Sequence, residues 1–282
     1  MTYQSRTAAD IMAEFKQEGY VLGAYLIDDR DYHSLDPMQF CSSTLLKDVR
    51  RKSPLHAKVY SNSANPPSES MRLGTAIHCA LFEPERFSAD YIEEPEIEDK
   101  RKNPGRKEWE EFKEKHADKI ADKRVLSSKD LSNIVGCKES ILTNIPFFTG
   151  GHSEVSLFWP CRFTGIQMKA KVDYLKRYEV IDLKTTGDAS AWVYQTRRYN
   201  LGLQMSHYSA GFEAIFGFEP SFTFVVAERE PPHGIKTFIY DSQGIGINRD
   251  IYKDCVQQWA ACLDSQVFPG YTTDAEVIGV YE

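Results

Sequence analysis

The stretch GIQMKAKVDYLKRYEVIDLKTT, residues 165–186, decides the fold of this chain. β-Branched, aromatic and other apolar residues recur through two runs, residues 165–175 and 178–183, as is typical of strands. Arg177 lies between the runs, where a tight reversal would fall. The pattern therefore predicts a β-hairpin that turns about Arg177 and Tyr178.

The predicted hairpin brings two aspartates together. Asp173 lies opposite or nearly opposite Asp182, and Lys184 shares a face with Asp182 because side chains alternate along a strand. Ile181 and Leu183 then point into the core. Facing carboxylates repel each other on a sheet, and such a pair usually shares a proton or a cation. Mg²⁺ prefers oxygen ligands, and a lysine beside it can orient or activate the attacking water or neutralise charge on a phosphate. A solvated hairpin with alternating charges is the alternative.

The composition is that of a globular protein. The 282 residues are 41% hydrophobic and 12% aromatic, which suffices for a core, and the length allows one large domain or two small ones. No apolar run of about 18 residues occurs, and the N-terminus lacks a signal-peptide pattern, so we expect a cytoplasmic protein without a membrane segment. The six cysteines contain no CxxC pair, which argues against a zinc site or an iron–sulfur cluster and favours free thiols.

The charges are distributed unevenly around the hairpin. A net charge of −7 does not by itself favour nucleic-acid binding. Residues 83–99 carry eight acids and one base, whereas residues 162–198 carry eight bases and four acids. A basic excess around an acidic pair suits a polyanion bound through a metal, although an ordinary mixed surface is the alternative. The bases predicted to contact DNA are Lys169, Lys171, Arg197 and Arg198.

Helical patterns dominate the chain before the hairpin. Helices are predicted over residues 5–18, 42–50, 70–82, 107–120 and 127–143. Residues 25–36 are predicted to be loop or edge strand, and the charged residues 91–106 a mobile loop. Gly74 inside the third of these helices costs about 1 kcal/mol relative to alanine, which the close approach of another backbone would explain.

Strands and helices alternate in the second half. Residues 152–159 form a strand that completes a three-stranded meander with the hairpin, and residues 188–216 form a helix with a break near residues 199–202. An apolar strand over 221–227, predicted to be central, a strand over 236–240 and a helix over 249–263 follow. This order predicts a single α/β or α+β domain with a central mixed sheet, divided into a helical part (1–145), a sheet-bearing core (146–264) and a tail (265–282).

Four side chains outside the hairpin are candidates for the same site. His78 could bind a metal ion or a phosphate, although a lone histidine on such a helix is more often a hydrogen-bonded core residue. Glu154 is a third acid at a strand edge, where a solvated glutamate is the commoner outcome. Gln204 and Tyr208, four residues apart on a helix, share a face and could donate hydrogen bonds to DNA or to metal-bound water.

These residues, in this order, resemble the PD-(D/E)xK nuclease superfamily, and in particular its RecB-type and lambda-exonuclease-type branch. The motif consists of Asp173, Asp182-Leu183-Lys184, and Gln204 with Tyr208. The segments GTAIHCALFEP (74–84) and KAKVDYL (169–175) are similar to the RecE exonuclease VIII family, and the resemblance covers about residues 31–264.

Two positions depart from the pattern of that family. Lys171 stands where arginine is commoner, which keeps the charge but loses a bidentate fork. Phe82 stands where leucine is usual, which changes packing. Neither departure removes a catalytic group.

The resemblance implies a restriction-endonuclease-like core and an exodeoxyribonuclease that depends on Mg²⁺, with Mn²⁺ as a substitute. It implies digestion of one strand of linear double-stranded DNA from the 5′ end, in phage-type homologous recombination. The implied partners are double-stranded DNA ends, a single-strand annealing protein and further copies of the chain in a homo-oligomeric ring.

The resemblance also implies a role for each site residue. Lys184 positions and activates the water, and Gln204 and Tyr208 fix the substrate strand. The implied metal ligands are Asp173, Asp182 and the backbone carbonyl of Leu183, with Glu154 and His78 as additional ligands.

Two other functions stay open on the sequence alone. One is a non-catalytic DNA-binding or assembly module with the same fold, which would have no need of Lys184 beside a metal. The other is a restriction-type endonuclease, which would cut closed-circular DNA where an exonuclease would not.

Overall fold

A mixed β-sheet organises the chain in this computed structural model, which describes residues 2–61, 68–121, 124–145 and 148–272. The seven strands of the main sheet and the two of a small one are numbered together along the chain. They are β1 (Gln4–Ser5), β2 (Gly23–Leu26), β3 (Ile92–Glu93), β4 (Val125–Leu126), β5 (His152–Pro160), β6 (Gln167–Leu175), β7 (Glu179–Thr186), β8 (Ser221–Glu228) and β9 (Ile235–Phe238).

Helices cover both faces of the main sheet. They are α1 (Ala8–Glu18), α2 (Asp29–Ser34), α3 (Ser43–Arg51), α4 (Pro54–Ser61), α5 (Glu69–Phe82), α6 (Pro84–Asp90), α7 (Gly105–Lys115), α8 (Ala117–Ala121), α9 (Ser128–Asn144), α10 (Trp192–Arg198), α11 (Leu201–Phe216) and α12 (Ser242–Ser265). Among the residues that the structure describes, every helix is either too short or too polar to traverse a lipid bilayer.

The main sheet has the strand order β1-β2-β5-β6-β7-β8-β9. Strands β2, β5, β6 and β7 pair antiparallel, β7 and β8 pair parallel, and β8 and β9 pair antiparallel. The predicted mixed sheet flanked by helices is confirmed. The prediction of a central position for residues 221–227 is wrong, because β8 lies next to the edge strand β9 and β6 lies in the middle.

The predicted hairpin forms between β6 and β7. Tyr174 pairs with Ile181 and Leu175 pairs with Val180, so the paired positions end one residue short of Asp173 and Asp182. Ile181 and Leu183 are fully buried in a hydrophobic cluster with residues of α5 and α9. Because side chains alternate along β7, Asp182 and Lys184 face the opposite side of the sheet, where α3 and α11 pack.

The N-terminal part is not wholly helical. β1 and β2 belong to the main sheet, so the predicted division between a helical part (1–145) and a sheet-bearing core is wrong. Residues 25–36 contain the end of β2 and the helix α2. Residues 91–106 contain β3, which pairs parallel with β4, and are therefore not a structureless loop. The tail is described as far as residue 272, and the rest of it lies outside the described residues.

Helix α5 crosses the carboxyl-terminal half of β7 at close range. A Cβ atom added to Gly74 would lie 2.8 Å from Oγ1 of Thr185, which is too short for contact. The glycine therefore permits the approach that the sequence suggested, although its neighbour is a side chain rather than a backbone. This crossing brings His78, one turn further along α5, toward β6 and β7.

Candidate metal centre

A cleft of about 940 Å³ opens where α3, α5 and α11 meet the middle of the sheet. Five of the six residues predicted to act in catalysis line its walls, and the sixth, Asp182, is buried behind them. The members on the wall are His78, Asp173, Lys184, Gln204 and Tyr208, together with the predicted ligands Glu154 and Leu183.

Three side chains from different elements converge in this cleft. His78 on α5, Glu154 on β5 and Asp173 on β6 each place a possible ligand atom within 4.8 Å of the others. Nδ1 of His78 lies 3.8 Å from Oδ2 of Asp173. One imidazole and two carboxylates at such separations form a donor set for a single cation. We call these three residues the acidic cluster.

Glu154 has a strained backbone. Its φ angle is 55°, in the left-handed region that residues other than glycine rarely adopt. The neighbouring residues Ser153 and Val155 pair normally with β6, so the distortion is confined to one residue. Such strain persists where the surrounding structure enforces it, and it is common at functional sites.

The carboxyl group of Glu154 resists ionisation in the absence of a cation. Burial raises the pKa of Glu154 to about 8, the neighbouring carboxylate of Asp173 contributes to the increase, and Lys171 opposes it. Lys171 Nζ lies 3.5 Å from Oε2 of Glu154. A divalent cation at the acidic cluster would offset the repulsion between the two carboxylates.

Asp173 also connects the two strands of the hairpin. Its Oδ2 accepts a hydrogen bond from the backbone N–H of Leu183 at 2.7 Å. The hydrogen bond lies just beyond the last paired positions of β6 and β7, where the strands separate and the cleft begins. Leu183 itself is fully buried and borders the cleft, so it is the backbone of this residue that faces the site.

Asp182 is almost completely buried, with 1% of its surface exposed. Its Oδ1 accepts a hydrogen bond from Nε2 of Gln204 at 2.7 Å, and its Oδ2 forms an ion pair with Lys184 but lacks a partner in hydrogen-bond geometry. Burial raises the pKa of Asp182, and Asp173 adds to the increase against the opposing effect of Lys184. An under-satisfied buried carboxylate oxygen fits a site that holds a cation.

Lys184 keeps its positive charge. Burial lowers the pKa of Lys184, but the carboxylates of Asp182 and Asp173 outweigh that effect, so the pKa lies above its ordinary value. The side chain is 24% exposed and borders the cleft. A charged ammonium at this place can donate hydrogen bonds to water or to a phosphate oxygen.

The neighbourhood of the acidic cluster includes ion pairs that the sequence analysis missed. Asp29 on α2 pairs with both Lys171 and Arg86, and Arg86 also pairs with Glu83. These residues border the same cleft. Nothing in the local sequence marks Asp29, because its partners lie far away along the chain.

Lys47 is a second missed residue, and it contacts the site through Gln204. Lys47 Nζ donates a hydrogen bond to Oε1 of Gln204 at 2.5 Å. Burial lowers the pKa of Lys47 to about 7, with a further decrease from Lys184 and an opposing increase from Asp182. The available signal was the polar side of α3, where Ser43, Thr44 and Lys47 recur at helical spacing and all border the cleft.

Tyr208 and Arg229 complete the wall around Lys184. Tyr208 is 9% exposed, and burial followed by the charge of Asp182 raises the pKa of its hydroxyl well above the ordinary value. Arg229 follows β8 directly and donates its backbone N–H to the carbonyl of Thr186. Within the described part of the chain, its guanidinium has no acidic partner, so it presents an unpaired positive charge to the cleft.

The predicted DNA contacts fall into different surroundings. Lys169 is 4% exposed, and its Nζ donates hydrogen bonds to the carbonyls of Tyr32 at 2.9 Å and Leu35 at 3.1 Å. The prediction that Lys169 contacts DNA is therefore wrong, because its ammonium is buried and donates to backbone carbonyls. Lys171 borders the cleft but is paired with acids, and Arg197 and Arg198 are exposed at the end of α10, outside the wall of the cleft.

Comparison with known proteins agrees with this geometry. Residues 42–279 match the model of a family described as a PDDEXK-like domain of unknown function (DUF3799). No curated protein is similar enough to this chain to count as a match.

Two solved structures are similar to the chain in backbone. A candidate exonuclease from Eubacterium rectale is 12% identical, with a TM-score of 0.63 over 90% of this chain and 96% of that one. This similarity shows the fold. An alkaline exonuclease from Laribacter hongkongensis is 13% identical, with a TM-score of 0.40 over 84% of this chain and 95% of that one, which is too low to support an argument.

The family match spans most of the chain, including both strands of the hairpin and the helix that carries Gln204. This chain therefore belongs to the PDDEXK-like DUF3799 family, within the PD-(D/E)xK nuclease superfamily.

Proposed function

We propose that this protein is a nuclease that hydrolyses phosphodiester bonds of DNA with Mg²⁺ as its cofactor. One observation carries the proposal: the acidic cluster borders the same cleft as Lys184, whose ion-pair partner Asp182 is buried behind the wall. A purely structural hairpin would not gain from burying carboxylates so close together. The family match supports the proposal independently.

His78, Glu154 and Asp173 would hold the cation, with Asp182 and the carbonyl of Leu183 as the remaining ligands suggested by the sequence motif. Carboxylate and carbonyl oxygens are the ligands that Mg²⁺ prefers. When bound, Mg²⁺ would stabilise negative charge on the phosphate and acidify a water molecule.

The chain itself would position the reactants. Lys184 is charged and reaches the cleft, so it can hold the attacking water or a phosphate oxygen through its N–H donors. Gln204 fixes the carboxylate of Asp182 through the hydrogen bond to Oδ1. Tyr208, close to Asp182 and with its hydroxyl protonated, can donate to the substrate strand.

The finer features of the substrate are proposed from the RecE-type sequence motifs. They support exonuclease action on linear double-stranded DNA, in the 5′-to-3′ direction, as part of homologous recombination. They also support a single-strand annealing protein as partner and a ring of several copies.

Digestion of three DNA substrates tests the proposal. Linear duplexes labelled at the 5′ or the 3′ end and a closed-circular plasmid are incubated with Mg²⁺, Mn²⁺, Ca²⁺ or excess EDTA, beside an Asp182→Asn control. We expect early release of the 5′ label with Mg²⁺ or Mn²⁺, and little cleavage with Ca²⁺, whose looser coordination activates water poorly. Activity in EDTA would contradict the metal dependence.

The same substrates separate the alternative functions. Cutting of the closed circle would indicate an endonuclease. Binding of DNA without any cleavage, by folded protein supplied with Mn²⁺, would indicate a non-catalytic module. Early release of the 3′ label would reverse the proposed direction but keep the nuclease assignment.

A further inference from the structure

A buried polar chain runs from α3 to the candidate metal centre. Lys47 Nζ donates to Oε1 of Gln204 at 2.5 Å, and Nε2 of the same amide donates to Oδ1 of Asp182 at 2.7 Å. Gln204 is 5% exposed and Asp182 is 1% exposed, so water has little access to either hydrogen bond. Three elements distant in sequence thus meet in one row of hydrogen bonds.

The two ends of this row fix the direction of the amide between them. A lysine ammonium is only a donor and an ionised carboxylate is only an acceptor. The amide of Gln204 can therefore satisfy both neighbours in one orientation, with oxygen toward Lys47 and nitrogen toward Asp182. The reversed amide would set donor against donor and acceptor against acceptor.

We propose that Lys47 is a positioning residue for the metal centre, which holds Gln204 and through it the carboxylate of Asp182 in the orientation that binds the cation. The inference rests on the metal centre of the proposed function. Gln204 Nε2 occupies Oδ1 of Asp182, so Oδ2 is the oxygen left for Lys184 and the cation. Partners that orient a ligand in this way commonly affect metal affinity by about 10–100-fold.

Simple electrostatics makes the opposite prediction for Lys47. In its ammonium form Lys47 carries a positive charge near the site, and removing that charge should by itself strengthen the binding of a cation. Loss of the hydrogen bond from Lys47 to Gln204 should instead weaken the binding of the cation. The sign of the change in metal affinity therefore distinguishes the two effects.

Mn²⁺ binding without DNA, measured by isothermal titration calorimetry, is the test. We expect Lys47→Met to weaken Mn²⁺ binding by about tenfold or more and Lys47→Arg, which keeps a charged donor, to restore most of it. Arg51→Met is the matched control, because it removes the same charge one turn along α3 from an exposed side chain. It should leave Mn²⁺ affinity within about twofold of wild type.

A double-mutant cycle with Gln204→Met shows whether Lys47 acts through the amide. If it does, Lys47→Met should have little further effect on Mn²⁺ affinity once Gln204 is replaced. Thermal unfolding of each variant identifies any that fails to fold, and Lys47→Gln serves in place of Lys47→Met in that case.

The outcomes separate this inference from the proposed nuclease function. Unchanged or tighter Mn²⁺ binding by folded Lys47→Met, or additive effects in the cycle, would overturn the inference. Wild-type protein that binds no Mn²⁺ would overturn it together with the metal centre. Wild-type protein that binds Mn²⁺ but cleaves no DNA, with the expected Lys47→Met effect, would sustain the inference and refute the nuclease.

Discussion

Oδ2 of Asp173 on β6 accepts a hydrogen bond from the backbone N–H of Leu183 on β7, at the point where the two strands stop pairing. A side chain thus continues the connection between the strands where the backbone ladder ends. The same carboxylate belongs to the acidic cluster. Asp173 therefore both connects the strands of the hairpin and contributes a possible metal ligand to the cleft.

The double role of Asp173 can be separated by substitution. Asp173→Asn keeps an oxygen that accepts from Leu183 but loses the charge, so we expect the fold to persist while activity falls by at least about 100-fold. Asp173→Ala should in addition lower the free energy of unfolding by about 1–3 kcal/mol, because the N–H of Leu183 loses its partner. Denaturant unfolding and nuclease assays on the same preparations measure both effects. Equal stability of the two variants would contradict the structural role.

The Asp182–Lys184 pair should show a different pattern. Lys184→Met leaves the buried carboxylate of Asp182 without its cation, so we expect loss of activity and a decrease in unfolding free energy of about 3 kcal/mol. Asp182→Asn should abolish activity at a smaller cost in stability. The double variant should recover stability relative to Lys184→Met and remain inactive. Thermal unfolding of the three variants without metal is the measurement, and a double variant less stable than Lys184→Met would count against this account.

His78 is expected to matter for metal binding more than for stability. Its side chain is 26% exposed, faces Asp173 and contacts the ring of Phe82 at 5.9 Å between centroids. We expect His78→Ala to reduce turnover by about tenfold or more while lowering the unfolding free energy by less than about 1 kcal/mol. A large loss of thermal stability with near-normal turnover would instead identify His78 as a core residue.

Arg229 is expected to contact a phosphate of the substrate strand. Its guanidinium, which has no acidic partner among the residues that the structure describes, borders the cleft beside the strand that carries Lys184. Arg229→Met should weaken DNA binding and reduce the slope of log affinity against log salt by about one. Binding is measured with Ca²⁺ in place of Mg²⁺, and Arg162→Met, which removes an exposed arginine paired with Glu213, is the control. An unchanged slope for Arg229→Met would remove Arg229 from the proposed DNA site.

His207 should make the fold sensitive to acid. It is fully buried, and burial lowers its pKa to about 4. Because the unfolded chain binds a proton more readily than the folded one, the stabilisation is present above the unfolded pKa of about 6.5 and is lost as pH falls toward 4. The full effect is on the order of 3 kcal/mol. His207→Gln should therefore lose less stability than wild type between pH 7 and about 4, as measured by urea unfolding at each pH.

Local sequence determined the hairpin and the order of the elements around it. The two-residue period of a strand places Asp182 and Lys184 on one face and Ile181 and Leu183 on the other, whatever packs against the sheet. The helix break near residues 199–202 was likewise predicted, and there Asn200 adopts a left-handed conformation with a φ of 48°, which asparagine tolerates better than most residues. The i, i+4 spacing put Gln204 and Tyr208 on one helical face, and both border the cleft.

Tertiary structure alone decided which charged groups reach the site. Lys169 and Lys171 are both lysines on β6, two positions apart. The ammonium of Lys169 donates hydrogen bonds to backbone carbonyls 137 and 134 residues away, whereas Lys171 borders the cleft. Lys47 joins the site from a position 157 residues before Gln204. Local sequence sets backbone periodicity through short-range geometry, whereas the burial and pairing of a charge depend on which distant segments pack around it.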